Sequence, residues 1–226
     1  MKLLSAAVLL AAGAAACTSP ATNPQAPATP QAGGAATGYI TARTLPPGRR
    51  TLSSVEGDIA LDLPAGWRRI DLNATSLSRE IKKAGFGGPA MAYIKDNAKG
   101  LGRKHALYVA DSRDTARSPV NTISGTCDGG EERSISVQMA EVRQQLARRE
   151  SIVGPVAVSQ VAIGDPGGMK ADYLDGLTRL VYFRIMYPGR KVCTVTFTAR
   201  PGSLTPELDS IAKSIRPLPP STGLDN

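Results

Sequence analysis

The sequence predicts an α+β domain built on an antiparallel sheet, and three observations carry that expectation. Between Met169 and Ala199 three strand-like runs (MKADYLD, RLVYFRIMY and KVCTVTFTA) are separated only by Gly176 to Thr178 and by Pro188-Gly189, the spacing of a meander. The middle run alternates Leu180, Tyr182, Arg184 and Met186 with Val181, Phe183, Ile185 and Tyr187, so both of its faces are largely apolar and each needs a cover. Amphipathic helices stand ready to supply one: Ile135, Met139, Val142 and Leu146 make a stripe within Ser134 to Arg149, and Leu208, Ile211, Ala212 and Ile215 make a second after Thr205-Pro206-Glu207.

Before the domain comes an address. MKLLSAAVLLAAGAAA has one positive charge at Lys2, an apolar stretch from Leu3 to Leu10 and then small residues, the pattern of a secretory signal peptide too short to span a bilayer of ~30 Å. It ends at Ala14-Ala15-Ala16-Cys17, and this segment resembles the lipobox of bacterial lipoproteins, with Ala14 where Leu is usual. The resemblance implies that Cys17 carries a diacyl anchor; the alternative is plain secretion with Cys17 as a stray thiol. Three cysteines in an exported chain leave an even pair, Cys127 and Cys193, once Cys17 is acylated, and an oxidising compartment joins that pair as a disulfide unless both remain buried thiols.

Thr18 to about Thr51 is Ala, Pro, Thr, Gly and Gln with almost nothing to bury, so it is expected to be a disordered leash. From Asp58, Ile59, Leu61 and Leu63 alternate with polar or small residues, Pro64-Ala65-Gly66 turns the chain and Trp67 opens a return strand; the segment reads as a hairpin with Trp67 as its core anchor. Ser76 is placed to cap a helix that Gly85-Phe86-Gly87-Gly88-Pro89 breaks, and a second helix follows to about Ala98. That glycine cluster lacks a phosphate-loop pattern and follows no strand. His105 to Asp111 and Val120 to Cys127 read as strands. Ser151 to Ile163 reads as another, with Gly154-Pro155 marking a bulge or an edge. The division expected is a signal peptide over 1–16, lipidated Cys17 and a linker over 17–53, one globular domain over 54–217 and a disordered tail over 218–226.

The formal charge is +8; with Lys2 removed, 26 basic side chains face 19 acidic ones, a net +7. No acid precedes Glu56, so Arg43, Arg49, Arg50, Arg68 and Arg69 form a basic approach suited to anionic head groups or simply to a solvated surface. Nucleic acid is not an expected partner, because an exported protein rarely meets it and aromatics are only 4% of residues.

Catalytic chemistry is scarcely represented. The single histidine, His105, has no Gly-x-Ser-x-Gly elbow to serve, and zinc would need ligands the chain does not supply. Asp165, Asp172 and Asp175, or Asp111, Asp114 and Asp128, match no calcium loop. The expectation is no catalytic residue, no metal and no cofactor.

The order hairpin, helices, two strands, helix, strand, meander, helix, together with Leu-Pro-x-Gly-Trp at 63 to 67, resembles actinobacterial lipoproteins of the LpqN/LpqT kind, which carry a PsbP-like domain. Over about residues 54 to 216 the resemblance implies an α/β/α sandwich, a central antiparallel sheet with helices on both faces. It further implies a non-enzymatic, lipid-anchored protein outside the cytoplasm at the cell membrane, an accessory or binding protein in envelope assembly or lipid transport, and the expected ligand is a lipid or glycolipid or else an envelope membrane-protein partner. The alternatives are an envelope hydrolase whose carboxylates meet only in the fold, and a structural surface protein without ligand.

Overall fold

The computed structural model describes residues 45, 47–99, 101, 107–113, 115, 118–130, 133–203 and 205–218. Its elements run β1 (Arg49–Ser54), β2 (Ile59–Pro64), β3 (Trp67–Arg69), α1 (Leu77–Lys83), α2 (Gly88–Lys99), β4 (Leu107–Asp111), β5 (Thr122–Gly129), α3 (Ile135–Ala147), β6 (Ile152–Val161), β7 (Gly167–Asp175), β8 (Thr178–Tyr187), β9 (Lys191–Ala199), α4 (Thr205–Ala212) and β10 (Arg216–Pro217). Seven strands form one antiparallel sheet in the order β3-β4-β5-β9-β8-β7-β6, and β1-β2-β10 form a small second sheet.

The meander is present as the alternation required. In β8, Val181, Phe183 and Ile185 are buried in one core, while Leu180 and Tyr182 pack on the opposite face beneath α3. In β9 the apolar row Cys193, Val195, Phe197 and Ala199 is fully buried and the hydroxyl row is half-buried, the pattern of a strand with one better-buried face.

Register assigns the layers. Residues directly opposed across an antiparallel pair share a face, and Tyr108 opposes Ser124, Ser124 opposes Thr196, Thr196 opposes Tyr182, and Tyr182 opposes Ala171. Tyr108 lies under α1 and α2 with Ile81, Phe86, Ala90 and Ile94, and Ala171 lies under α3 with Leu146. These three helices therefore cover one face of the sheet. The other face carries β2, through Ile59, Leu61 and Leu63, and α4, through Leu208, Ile211, Ala212 and Ile215. The protein is thus the α+β sandwich expected, with helices on both faces, and strands share the second cover with α4.

Two local expectations are corrected. The chain at 58–72 is not a hairpin: Pro64-Ala65-Gly66 carries it from one sheet to the other, because β2 pairs with β1 and β10 while β3 pairs with β4. Gly66 sits at φ +99, and a Cβ there would come within 2.6 Å of the Arg113 side chain. Trp67 is nevertheless wholly buried in the main core. The ordered chain also starts before Ser54, since Arg49–Ser54, within the expected linker, is a strand paired along its full length with Ile59–Pro64. Polar RRTLSS has little to bury by itself, and its hydrogen bonds to β2 order it.

Ser134 caps α3, its hydroxyl accepting from the Val137 N–H, whereas Ser76 stands at the N-cap of α1 without a side-chain bond. β6 ends the large sheet, and its register shifts between Val153 and Ala157 at Gly154-Pro155. Arg143 of α3 donates to the Val158 carbonyl of that strand at 2.9 Å. Among the described residues no helix is long and apolar enough to cross a membrane.

Candidate functional site

Strands β1 and β3 bring their arginines to one place. Arg50 and Leu52 of β1, Arg68 and Arg69 of β3, and Glu80, Lys83 and Ala84 at the end of α1 line a cleft of about 280 Å³. Four cations and one carboxylate thus surround a volume just below the usual 300–1,000 Å³ of small-molecule sites. Some of the cations are held in place: Arg50 donates to the Trp67 carbonyl, Arg69 donates to the Ser53 carbonyl at 2.8 Å and lies 3.6 Å from Glu56, and Lys83 is 3.9 Å from Glu80. Arg68 has no hydrogen bond or ion pair among the described residues. Its charge is available to an anion.

Of the five arginines expected to form a basic approach, Arg50, Arg68 and Arg69 converge. Arg49 does not line this cleft; it donates to the Asp62 carbonyl and the Ser210 hydroxyl. Arg43 lies outside the described residues, as do Cys17, His105 and Asp114. Lys83 was not foreseen; the Lys82-Lys83 pair closing α1 is the signal that could have found it.

The acids are occupied in holding the domain together. The Arg113 guanidinium donates to both oxygens of Asp111 and both of Glu207, each at 2.8 Å, and ties the end of β4 to α4. That hydrogen bonding holds the Glu207 carboxyl below its ordinary range. A carboxyl so held does not keep a proton to donate near neutrality, which removes it as a general acid. Asp62, 2% exposed, accepts from the Thr51 hydroxyl at 2.8 Å and from Arg216 at 2.9 Å, joining all three strands of the small sheet. Asp172 is paired with Arg179 at 2.7 Å and Asp175 with Arg149 at 4.0 Å; Asp165 and Asp128 are exposed. Among the described residues no cluster of His, Cys, Asp and Glu is arranged to hold a metal ion.

Cys127 of β5 and Cys193 of β9 stand directly opposite in the register, their sulfurs bonded and their Cα atoms 3.9 Å apart. The Cys127 N–H points away from β9, to the Gly57 carbonyl at 2.7 Å. The two cysteines are therefore a non-hydrogen-bonded pair, the kind in which facing Cα atoms come closest. The bridge joins adjacent strands at the centre of the sheet and ties the meander to the preceding half.

No protein-family model matches the chain, and none of the curated proteins does. Among solved structures the chain is similar to the solution structure of cyanobacterial PsbP (CyanoP) from Synechocystis sp. PCC 6803, with 10% sequence identity over 81% of this chain and 98% of that one and a TM-score of 0.44.

Proposed function

We propose that the protein is a lipid-anchored binding protein of the cell envelope whose domain docks on anionic membrane through the cleft of Arg50, Arg68, Arg69 and Lys83. The convergence of these four cations beside β1 is the observation that carries the reading. β1 is also the strand into which the N-terminal segment runs. Cys17 precedes Arg49 by 32 positions, a tether that reaches ~100 Å fully extended and ~30 Å as a coil. A diacyl group at Cys17 supplies two chains, enough for stable attachment, and the basic patch adds the electrostatic attraction that holds the domain against anionic lipid. The domain's role is to bind an envelope lipid or a membrane partner at that surface.

The test separates the patch from the anchor by using the Cys17→Ser chain with vesicles. Sedimentation with vesicles of phosphatidylglycerol and phosphatidylcholine is expected at low salt and lost at high salt, with no sedimentation on phosphatidylcholine alone. Each Lys or Arg near an anionic surface contributes about 1 kcal/mol, so Arg68→Ala with Lys83→Ala weakens binding about thirty-fold. Equal sedimentation with neutral vesicles, or an unchanged double variant, would refute the docking surface.

A further inference from the structure

A second and larger cleft, of about 840 Å³, opens in the other half of the sheet, where the first turn of α3 meets β6 and the turn between β8 and β9. Its volume lies within the range of small-molecule sites. The lining separates into two kinds of surface. Met186 and Val192, opposed in register and each 8% exposed, join Ile135, Pro166 and Pro188 in an apolar floor. Arg133, Arg190 and Lys191 bring cations to the rim, with Asp165 as the acid among the described lining residues.

Two of those cations have partners: Lys191 pairs with Asp58, and Arg133 with Glu141 at 2.9 Å. Arg190 has no side-chain partner among the described residues. Its backbone stands at φ +61 beside Gly189 at φ +75, a conformation that costs a non-glycine residue about 1–2 kcal/mol. That conformation is held by the Gly130 N–H, which donates to the Arg190 carbonyl at 2.8 Å and closes one end of the cleft. The turn thus presents an unpaired guanidinium at the rim of the cleft, on a backbone held in place. Beside it, Ser134 and Ser136 carry hydroxyls at the positive end of a 13-residue helix.

We propose that this cleft binds a single-chain amphiphile with an anionic head, its aliphatic chain over Met186, Val192 and Ile135 and its phosphate or carboxylate at Arg190 and the first turn of α3. Neither half of the ligand suffices. A free anion leaves the apolar floor in water, and a neutral chain leaves the guanidinium unmatched. The site is distinct from the docking cleft, so a bound amphiphile does not compete with attachment to a membrane.

Calorimetric titration of the Cys17→Ser chain with dodecyl phosphate and with lauric acid, below their micellar concentrations, tests the assignment; inorganic phosphate and dodecanol supply the head alone and the chain alone. Saturable binding of one or both amphiphiles is expected, at least ten-fold tighter than either control. Whichever amphiphile binds more tightly identifies the head group. Arg190→Glu, at an exposed turn, is expected to weaken binding about ten-fold. Ser136→Trp, which fills the cleft from an exposed helix position without disturbing a backbone bond, is expected to abolish it while leaving the circular dichroism unchanged. Inorganic phosphate equal to dodecyl phosphate, dodecanol equal to it, no saturable binding, or full binding by both variants would each overturn the proposal. The Arg68→Ala, Lys83→Ala chain is expected to bind dodecyl phosphate normally, so failure of the docking cleft and failure of this one are separable.

Discussion

Breaking the bridge between Cys127 and Cys193 exposes how the two halves of the large sheet are held together. The cysteines are 66 residues apart, and in the chain-entropy model closing a loop of that length destabilises the unfolded state by about 4 kcal/mol. For a domain of this size each kcal/mol moves the midpoint by about 2–4 °C, so reduction lowers the thermal transition by roughly 8–16 °C. Reduction leaves both sulfurs in the core, so the loss it causes is that of the bond itself. The Cys127→Ala, Cys193→Ala chain loses about a further 1 kcal/mol per site, because both side chains are buried and their removal leaves unfilled volume. The two forms are compared by thermal and urea unfolding with and without reductant. The reduced chain also unfolds with the steeper urea dependence, since an uncrosslinked coil exposes more surface. Two reactive thiols on denatured, unreduced protein, or a midpoint indifferent to reductant, would refute the reasoning.

Three further outcomes follow from positions already described. Washed at high salt, which releases the basic patch, Cys17→Ser leaves the membrane fraction and loses the mass of the lipid; unchanged partitioning and mass would mean the anchor is elsewhere. Asp62→Ala removes the buried carboxylate that accepts from Arg216 and from the Thr51 hydroxyl and costs about 1–2 kcal/mol, read from the urea midpoint, since Arg216 is partly solvated and keeps its bond to the Ser214 carbonyl. Arg113 holds the Glu207 pKa below its ordinary value of 4.5, so the stability it supplies is present above that value and is lost as pH falls through the lower folded value. Glu207→Gln is expected to flatten the acid limb of the stability profile and leave its slope near neutrality alone; an unchanged acid limb would count against the coupling.

The parts of the fold legible in the sequence are those whose neighbours are close in the chain. The meander declares itself because two short turns bring β7 against β8 and β8 against β9, and α3 because its stripe fits only one period. The segment at 58–72 has the turn chemistry of a hairpin, yet turn chemistry does not say whether the arms pair. β2 is buried at every position from Ile59 to Leu63, and its partners come from Arg49–Ser54 and from Arg216–Pro217 at the far end of the domain. β1 was hidden for the same reason: a polar strand gains its order from a partner that local patterning does not name. The basic cleft was half legible. Its arginines are plain in the sequence, but their convergence depends on a strand crossing from one sheet to the other. The larger cleft left no motif, since its floor and rim come from α3, β6, β8 and β9 and from the turns between them.

The outer margin of β6 governs how this protein behaves in company. A large sheet that ends in a long strand offers a row of backbone donors and acceptors to any extended chain, including a second copy of itself. Here the row is interrupted twice, by the Gly154-Pro155 shift, where the ring of Pro155 supplies no N–H, and by the Arg143 guanidinium on the Val158 carbonyl. Neither feature stabilises much alone. Together they deny a neighbour the consecutive pairing that lengthens a sheet from one molecule into the next.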